Sequence, residues 1–163
     1  MSQDVFLFQG TVRENLAFGR PDATDDEIEQ AARMAEAHEF ILELPDGYDT
    51  IVGERGQKLS GGQRQRLSIA RALVRKPEIY LFDDSFSALD LATDARLRAA
   101  LRPETADACM IIVAQRVSTI EDADQIIVLE DGAIVGIGKH EDLLTSCPCY
   151  VEIVESQRSV QDA

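Results

Sequence analysis

The residues best suited to chemistry are a Ser-Gly-Gly turn at residues 59–63 (Leu-Ser-Gly-Gly-Gln) and two adjacent carboxylates, Asp83 and Asp84. A basic helical pattern follows the turn, so backbone N–H groups and the positive end of a helix would face a ligand there, which suits a phosphate. The carboxylates end the apolar run at residues 79–82, and carboxylates at a strand end suit a metal ion and an activated water. Together the two features indicate two parts of a nucleotide triphosphatase.

The third part of such an enzyme would be a Gly-rich loop with a Lys and a Ser or Thr, which wraps the phosphates. The 163-residue sequence contains no such loop. A polypeptide with only these two parts is expected to hydrolyse little nucleotide alone, because nothing in it positions the triphosphate.

Composition narrows the class of protein. A chain of 163 residues with 45% apolar residues fits one domain of ordinary size. Its net charge of −14 argues against nucleic-acid binding, which needs a clustered basic face. The longest apolar runs have the length of strands and are too short to cross a membrane.

Local signals predict that the first half is helical. Thr24 and Glu27 have the spacing of a capping box ahead of apolar residues at helical intervals. A second helix is predicted at residues 40–44, before a Pro-Asp-Gly turn. A basic helix is predicted at residues 63–74, and the Lys-Pro pair that ends at Pro77 stops it.

The second half changes character and predicts an α/β fold. Short apolar runs at residues 79–82, 109–113 and 125–129 alternate with helical segments such as residues 92–101. This alternation predicts a β-α-β unit with strands buried on both faces. The Asp-Gly pair at residues 131–132 predicts a hairpin after the third run.

Taken in order, these motifs resemble the nucleotide-binding domain of an ABC transporter of the exporter type. The Ser-Gly-Gly turn resembles the ABC signature. The other matching segments are Gln3 for the Q-loop, residues 53–56 for the loop that exporters place before the signature, residues 79–83 for Walker B, residues 87–90 for the D-loop and residues 114–120 for the switch loop. Six motifs in the family's order and spacing make coincidence a poor explanation.

The resemblance implies an incomplete P-loop NTPase-like ABC ATPase domain of the α/β class, occupying residues 1–163. It implies a helical subdomain with the signature at about residues 10–76. The C-terminal part of the RecA-like parallel sheet core would follow at about residues 77–137, and C-terminal helices at about residues 138–163. The family's adenine-stacking aromatic and Walker A loop precede the Q-loop, so a missing N-terminal portion is expected. A complete protein without a phosphate loop is the alternative.

The resemblance also assigns roles on this chain's own nucleotide side. Asp83 would bind Mg²⁺ directly or through water, and Gln3 would sense the γ-phosphate through Mg²⁺. Asp84 stands where the family usually has the catalytic Glu, and its carboxylate is retracted by roughly 1–1.5 Å, a shift that can cost about 10²-fold in rate. Gln115 stands where the family usually has His, and it cannot exchange a proton near neutral pH. Both departures favour nucleotide binding with weak hydrolysis.

The resemblance implies that the signature acts on the nucleotide of a second domain, because in the family two such domains enclose two ATP molecules head to tail. The residues that would hold the γ-phosphate in trans are Ser60, Gly61, Gly62 and Gln63. Asp90 would communicate across the dimer, or simply cap the helix that follows it. Glu54 and Arg55 would contact the coupling helices of the membrane domain, or form a solvated charged loop.

The expected function is that of an ATP-binding subunit fragment of an exporter, on the cytoplasmic face of a membrane, using ATP and Mg²⁺. Its partners would be a second, different nucleotide-binding domain and a transmembrane domain, and it would not bind nucleic acid. The alternative is a non-hydrolysing regulatory or binding pseudo-ATPase. An ABC ATPase of DNA repair or translation is a third possibility, but the exporter-type loop, residues 118–124 and the acidic charge argue against it.

Overall fold

The computed structural model describes residues 6–53, 59–86 and 88–161. These residues form two compact units that meet in sequence between Val113 and Ala114. Each unit has its own cluster of buried apolar side chains.

The first unit opens with short helices and one long helix. Its elements up to residue 75 are β1 (Gly10–Thr11), α1 (Val12–Ala17), α2 (Asp25–Met34), α3 (His38–Leu42), a 3-10 helix (Gly47–Asp49), β2 (Ile51–Val52) and α4 (Gly61–Arg75). The strands β1 and β2 pair antiparallel. The predicted helices at residues 40–44 and 63–74 are both present, and each begins two residues earlier than the sequence suggests.

The start of α2 confirms the predicted capping box. The hydroxyl of Thr24 accepts a hydrogen bond from the N–H of Glu27 (3.3 Å), and the Glu27 carboxylate accepts one from the N–H of Thr24 (3.0 Å). The apolar residues of α2 at helical spacing, Ile28, Ala31 and Ala32, are buried. The helix is therefore fixed at its first turn by polar contacts and along one face by the core.

The β-α-β prediction is confirmed within the same unit. Here β3 (Ile79–Asp83) is followed by α5 (Leu91–Glu104) and then by β4 (Cys109–Val113). The two strands run parallel, with Ile79 opposite Cys109 and Asp83 opposite Val113. The carboxyl ends of both strands therefore lie at one edge of the sheet.

Burial of the strands on both faces was predicted and is wrong for the residues that the structure describes, because β3, β4 and the strand Ile126–Glu130 all carry exposed residues. The strand β3 is the clearest case. Tyr80 and Phe82 are buried in the core that also contains Leu97 of α5. By contrast, Ile79 and Leu81 on the other face are 61% and 67% exposed. The reason is that this part of the chain supplies a covering layer for one face only.

The second unit contains a hairpin flanked by helices. Its elements are α6 (Val117–Ile120), β5 (Ile126–Glu130), β6 (Ala133–Gly138), α7 (His140–Ser146) and α8 (Pro148–Gln161). The strands β5 and β6 pair antiparallel. Asp131 and Gly132 both have positive φ, of 48° and 79°, as a tight two-residue hairpin turn requires. The predicted hairpin is confirmed.

Among the helices of the described residues, none combines the length and the apolar composition that crossing a membrane requires.

Candidate functional site

The Ser-Gly-Gly turn forms the start of the longest helix in the described part of the chain. Ser60 is the N-cap of α4: its Oγ accepts a hydrogen bond from the N–H of Gln63 (3.2 Å), while Gln63 Oε1 accepts one from the N–H of Ser60 (2.8 Å). Ser60 and Gly61 are exposed. The N–H groups of Gly61 and Gly62 have no partner within the helix, as at any helix start. A polar, outward-facing helix start is thus available to an anion.

Charge at this helix start is positive. The first turn of α4 consists of Gly, Gly, Gln and Arg at residues 61–64, so it carries no carboxylate. Arg64 donates from Nη1 to the carbonyl of Leu59 (2.7 Å), which holds its guanidinium beside the turn. The helix dipole and this cation add their fields at the same point, and both favour a negatively charged ligand.

Of the segment that resembles the D-loop, Ser87 lies outside the described residues, and Ala88 and Leu89 lie directly on α4. A Cβ at Gly62 would lie 3.3 Å from the carbonyl oxygen of Ala88, so only glycine allows this approach without displacement. From the other side, the buried side chain of Gln65 accepts a hydrogen bond through Oε1 from the N–H of Ala88 (3.2 Å). Sequence reasoning missed Gln65. Gln65 lies on the same buried face of α4 as Leu67 and Ala70. A polar residue at such a position is visible in the sequence, but its hydrogen-bond partner is not.

Asp90 caps the helix that follows. Its carboxylate accepts a hydrogen bond from the N–H of Thr93 (2.9 Å), and hydrogen bonds from Thr93 hold the pKa of this carboxyl below its ordinary value. The predicted capping role is confirmed. The predicted role in communication between two domains stays a prediction.

The two carboxylates lie at the end of β3. Asp83 is its last residue and is exposed. Asp84 is half-buried, and its N–H donates to the carbonyl of Val113 at the end of β4 (2.9 Å). Its φ of 48° is in the left-handed region, which is uncommon for residues with a side chain and is concentrated at functional sites. The carboxyl edge of a parallel sheet is also where ligands bind in α/β proteins.

This edge fits Mg²⁺ only in the company of a nucleotide. In the described ranges, no group of three or more His, Cys, Asp or Glu side chains could hold a metal by itself. Mg²⁺ is commonly bound through one or two carboxylates together with substrate phosphates and water. The exposed Asp83 is suited to be such a carboxylate.

Gln115 belongs to the second unit and its side chain is exposed. Its carbonyl accepts a hydrogen bond from Nε2 of Gln157 (2.7 Å), and Oε1 of Gln157 accepts one from the N–H of Val117 (2.9 Å). The side chain of Gln157, on α8, therefore holds two backbone groups of residues 115–117. Sequence reasoning missed this contact, because a separation of 40 residues leaves no local signal.

A third missed contact joins α4 to other helices of the first unit. Arg66 donates from Nη1 to the carbonyl of Glu36 (2.7 Å), and its guanidinium carbon lies 4.7 Å from the centre of the Phe40 ring. The carboxylate of Glu36 accepts a hydrogen bond from Nε of Arg96 on α5 (3.1 Å). Burial lowers the pKa of Arg66 from its ordinary value. Arg66 of α4 and Arg96 of α5 thus bind the same residue, Glu36, and Arg66 also contacts α3 through Phe40.

Three predicted site residues, Gln3, Glu54 and Arg55, lie outside the described residues. Their predicted roles stay predictions. The other candidates fall into groups: the Ser-Gly-Gly turn and Asp90 meet through residues 88–89, and Asp83 and Asp84 share the sheet edge. Gln115 lies in the second unit.

Comparisons with known proteins agree on one family. Residues 1–87 match the protein family described as ABC transporter. The chain is 52% identical over 155 residues to the uncharacterized ABC transporter ATP-binding protein YfiB of Bacillus subtilis strain 168, which covers 95% of this chain and 27% of that protein. It is 50% identical over 157 residues to a candidate multidrug export ATP-binding/permease protein of Staphylococcus aureus strain NCTC 8325, covering 96% and 27%.

A solved structure extends this agreement to the fold. The structure of a bacterial Atm1-family ABC exporter with ATP bound superposes with a TM-score of 0.90 at 44% identity, covering 95% of this chain and 27% of that one. The chain therefore spans about a quarter of the length of the curated relatives that it matches.

Proposed function

The chain belongs to the ABC transporter family, and from that premise we propose that it is part of the ATP-binding subunit of an exporter. Its α/β fold is that of part of an ABC exporter's ATP-binding domain, in agreement with the Atm1-family structure. Transport of a substrate, the coupling of ATP to it and the position on the cytoplasmic face of a membrane belong to the proposal. So does the division into a helical subdomain (about residues 10–76), a RecA-like part (77–137) and C-terminal helices (138–163).

The proposed work of the Ser-Gly-Gly turn is to bind the γ-phosphate of an ATP held mainly by a second nucleotide-binding domain. What supports this is the start of α4, where Ser60 and Gly61 are exposed and the first turn carries no carboxylate. This is the single observation that carries the proposal. A helix start of this kind stabilises an anion through backbone N–H groups and the helix dipole.

The proposed role of the chain's own carboxylates is to hold Mg²⁺ and orient water, at a reduced rate. Asp83 would bind the ion together with the phosphates of the nucleotide. Asp84 would orient the attacking water with a carboxylate one methylene shorter than a glutamate. Gln115 would contact the γ-phosphate by hydrogen bonding alone, since its amide does not titrate.

An asymmetric pair follows from these two roles. One site would combine the partner's catalytic residues with this chain's Ser-Gly-Gly turn and would hydrolyse ATP quickly. The other would contain Asp84 and Gln115 and would hydrolyse slowly. Asp90 would communicate between them, and Glu54 and Arg55 would face the transmembrane domain. The partner is accordingly a different subunit with its own catalytic residues intact.

The test separates phosphate binding from helix capping. Asparagine caps a helix as well as serine does, so Ser60→Asn should leave the melting temperature within about 2 °C. It removes the hydroxyl and crowds the anion site, and the loss of one such donor typically costs about 10²–10³-fold in turnover. The measurement is ATP turnover by the whole transporter. Ser68→Ala, a hydroxyl deletion on the same helix, is the control and should have no effect. Full activity of Ser60→Asn would contradict the proposal.

A non-hydrolysing regulatory domain is the second candidate, and one observation favours it. Asp84 combines a short side chain with a left-handed backbone, so its own site is suited to holding ATP without turnover. The two candidates differ in what this chain does for its partner. Loss of the partner's hydrolysis in Ser60→Asn supports the transport ATPase, whereas unchanged hydrolysis with retained ATP binding supports the regulatory domain.

A further inference from the structure

We propose that Gln157 is a positioning residue for the switch loop, holding residue 115 in place against the nucleotide from the C-terminal helix α8. The proposal rests on the proposed function in one respect, the role of Gln115 at the γ-phosphate. It goes beyond that function by assigning a role to α8, which has no role in the proposed function.

The contact is a two-point clamp on backbone. The amide of Gln157 donates to the carbonyl of Gln115 at 2.7 Å and accepts from the N–H of Val117 at 2.9 Å. One planar amide thus engages a carbonyl and an N–H two residues apart. Both distances are those of well-formed hydrogen bonds.

The clamp is rigid at both ends. On α8, Tyr150 and Val154 are buried, and Gln157 continues this stripe at the spacing of one helical turn. On the loop side, Val117 is buried in the same cluster and begins α6. Because packing holds both the helix and the loop, the amide fixes the backbone of residue 115 instead of following it.

The chemistry of the clamp specifies glutamine. It needs one donor and one acceptor on the same side chain, at the reach of two methylenes. Glutamate supplies only acceptors, methionine supplies neither group at nearly the same volume, and asparagine is too short by one methylene. Since the clamp uses backbone atoms of residue 115, it acts in the same way whatever side chain that position carries.

A positioning role and a merely structural role make different predictions. If Gln157 only anchors α8, its replacement lowers thermal stability and leaves the nucleotide untouched. If Gln157 positions residue 115, its replacement weakens the hold on ATP, and this loss disappears once the side chain at 115 has been removed.

The experiment measures retention of labelled ATP by the whole transporter after dilution into excess unlabelled ATP. Gln157→Met should shorten retention at the slow site by about tenfold, the equivalent of two net hydrogen bonds of modest strength. Gln157→Glu should shorten it as well, because a second acceptor then faces the Gln115 carbonyl. Glu155→Leu, at an exposed position of the same helix, is the control and should change nothing.

A double-mutant cycle with Gln115→Ala tests whether Gln157 affects ATP retention through residue 115. In the Gln115→Ala background, Gln157→Met should shorten ATP retention by less than about twofold, because the effects of substitutions within one contact network are not additive. Additive losses would overturn the proposal, as would unchanged retention in Gln157→Met. If Gln157→Met does not fold, Gln157→Asn, which keeps the amide and withdraws it from the loop, takes its place with the same expected loss.

Failure of the proposed function has a separate result. If Gln115→Ala alone leaves retention unchanged, the assignment of Gln115 to the phosphate is wrong, and the positioning role falls with it. If Gln115→Ala shortens retention and Gln157→Met does not, only the positioning role is wrong.

Discussion

The helix starts of α2 and α4 are built by the same device and carry opposite charge. In both, a hydroxyl residue caps the helix, and the side chain of the third helical residue accepts a hydrogen bond from the N–H of that cap residue. On α2 that residue is Glu27, preceded by Asp25 and Asp26. On α4 it is the neutral Gln63, preceded by two glycines.

The difference shows how a helix start is left available for a ligand. The field at the start of α2 is compensated within the chain by three carboxylates. Ion pairs with Arg20 and Lys76 then hold Glu27 in place. At α4 the geometry of the cap is kept and the compensating charge is omitted, so an external anion can supply it. Stability requires only the first arrangement; binding requires the second.

The largest effect is expected from Gln63→Glu, which gives the start of α4 a carboxylate at the position that Glu27 occupies in α2. The new carboxylate can still accept from the N–H of Ser60, so the capping box and the melting temperature should be retained. It also places a negative charge where the γ-phosphate is expected, and turnover by the whole transporter should fall by about 10²-fold. Turnover within twofold of the natural protein would show that no phosphate approaches this helix start.

The next largest effect is expected when the chain's own site is given the residues that the family usually has, which should raise ATP turnover. Asp84→Glu with Gln115→His should return a full-length carboxylate and a titratable imidazole, and each type of group is worth about 10²-fold or more. The two need not multiply, because they serve one transition state. The measurement is ATP turnover in a transporter that also carries Ser60→Asn, which silences the partner's site. An absence of any rise would contradict the slow-site assignment.

A smaller effect is expected at Gln65, which joins α4 to residues 88–89. Gln65→Leu removes the acceptor for the Ala88 N–H, and we expect turnover to fall by about tenfold through a displaced D-loop segment. Gln65→Glu keeps an acceptor at the same reach and should retain most of the activity. Equal losses in the two variants would mean that the packing, and not the hydrogen bond, is what matters.

The smallest effect is expected at α2, where a substitution should change thermal stability without changing ATP turnover. Hydrogen bonds from Arg20 and from the Thr24 N–H lower the pKa of Glu27 to about 2, from an ordinary value of 4.5. A lowered pKa means that Glu27 stabilises the fold above pH 4.5, and that this stability is lost as the pH falls from 4.5 towards 2. Glu27→Gln should flatten that part of the thermal stability profile and leave ATP turnover unchanged. A profile identical to that of the natural protein would contradict the ion-pair assignment.

The sequence predicts features whose causes are local. The capping box at α2 and the Asp-Gly hairpin depend on residues within a few positions of each other, and both are found. The resemblance to ABC transporters likewise depends on short motifs in order. Burial of the strands on two faces was the main error, because such burial depends on covering layers that the apolar composition of a strand does not reveal.

Long-range contacts were beyond the reach of sequence reasoning. Gln65, the pair Arg66 and Arg96, and Gln157 all make their contacts across 23 or more residues. A polar residue on an otherwise apolar face gives no sign of its partner until the fold is known.

The most direct test of the central claim is a structure of the ATP-bound assembly. We expect the Ser60 hydroxyl and the N–H of Gly62 to lie within hydrogen-bond distance, about 3 Å, of a γ-phosphate oxygen of the ATP bound by the partner subunit. A structure with ATP in that site and the Ser-Gly-Gly turn facing solvent would contradict it.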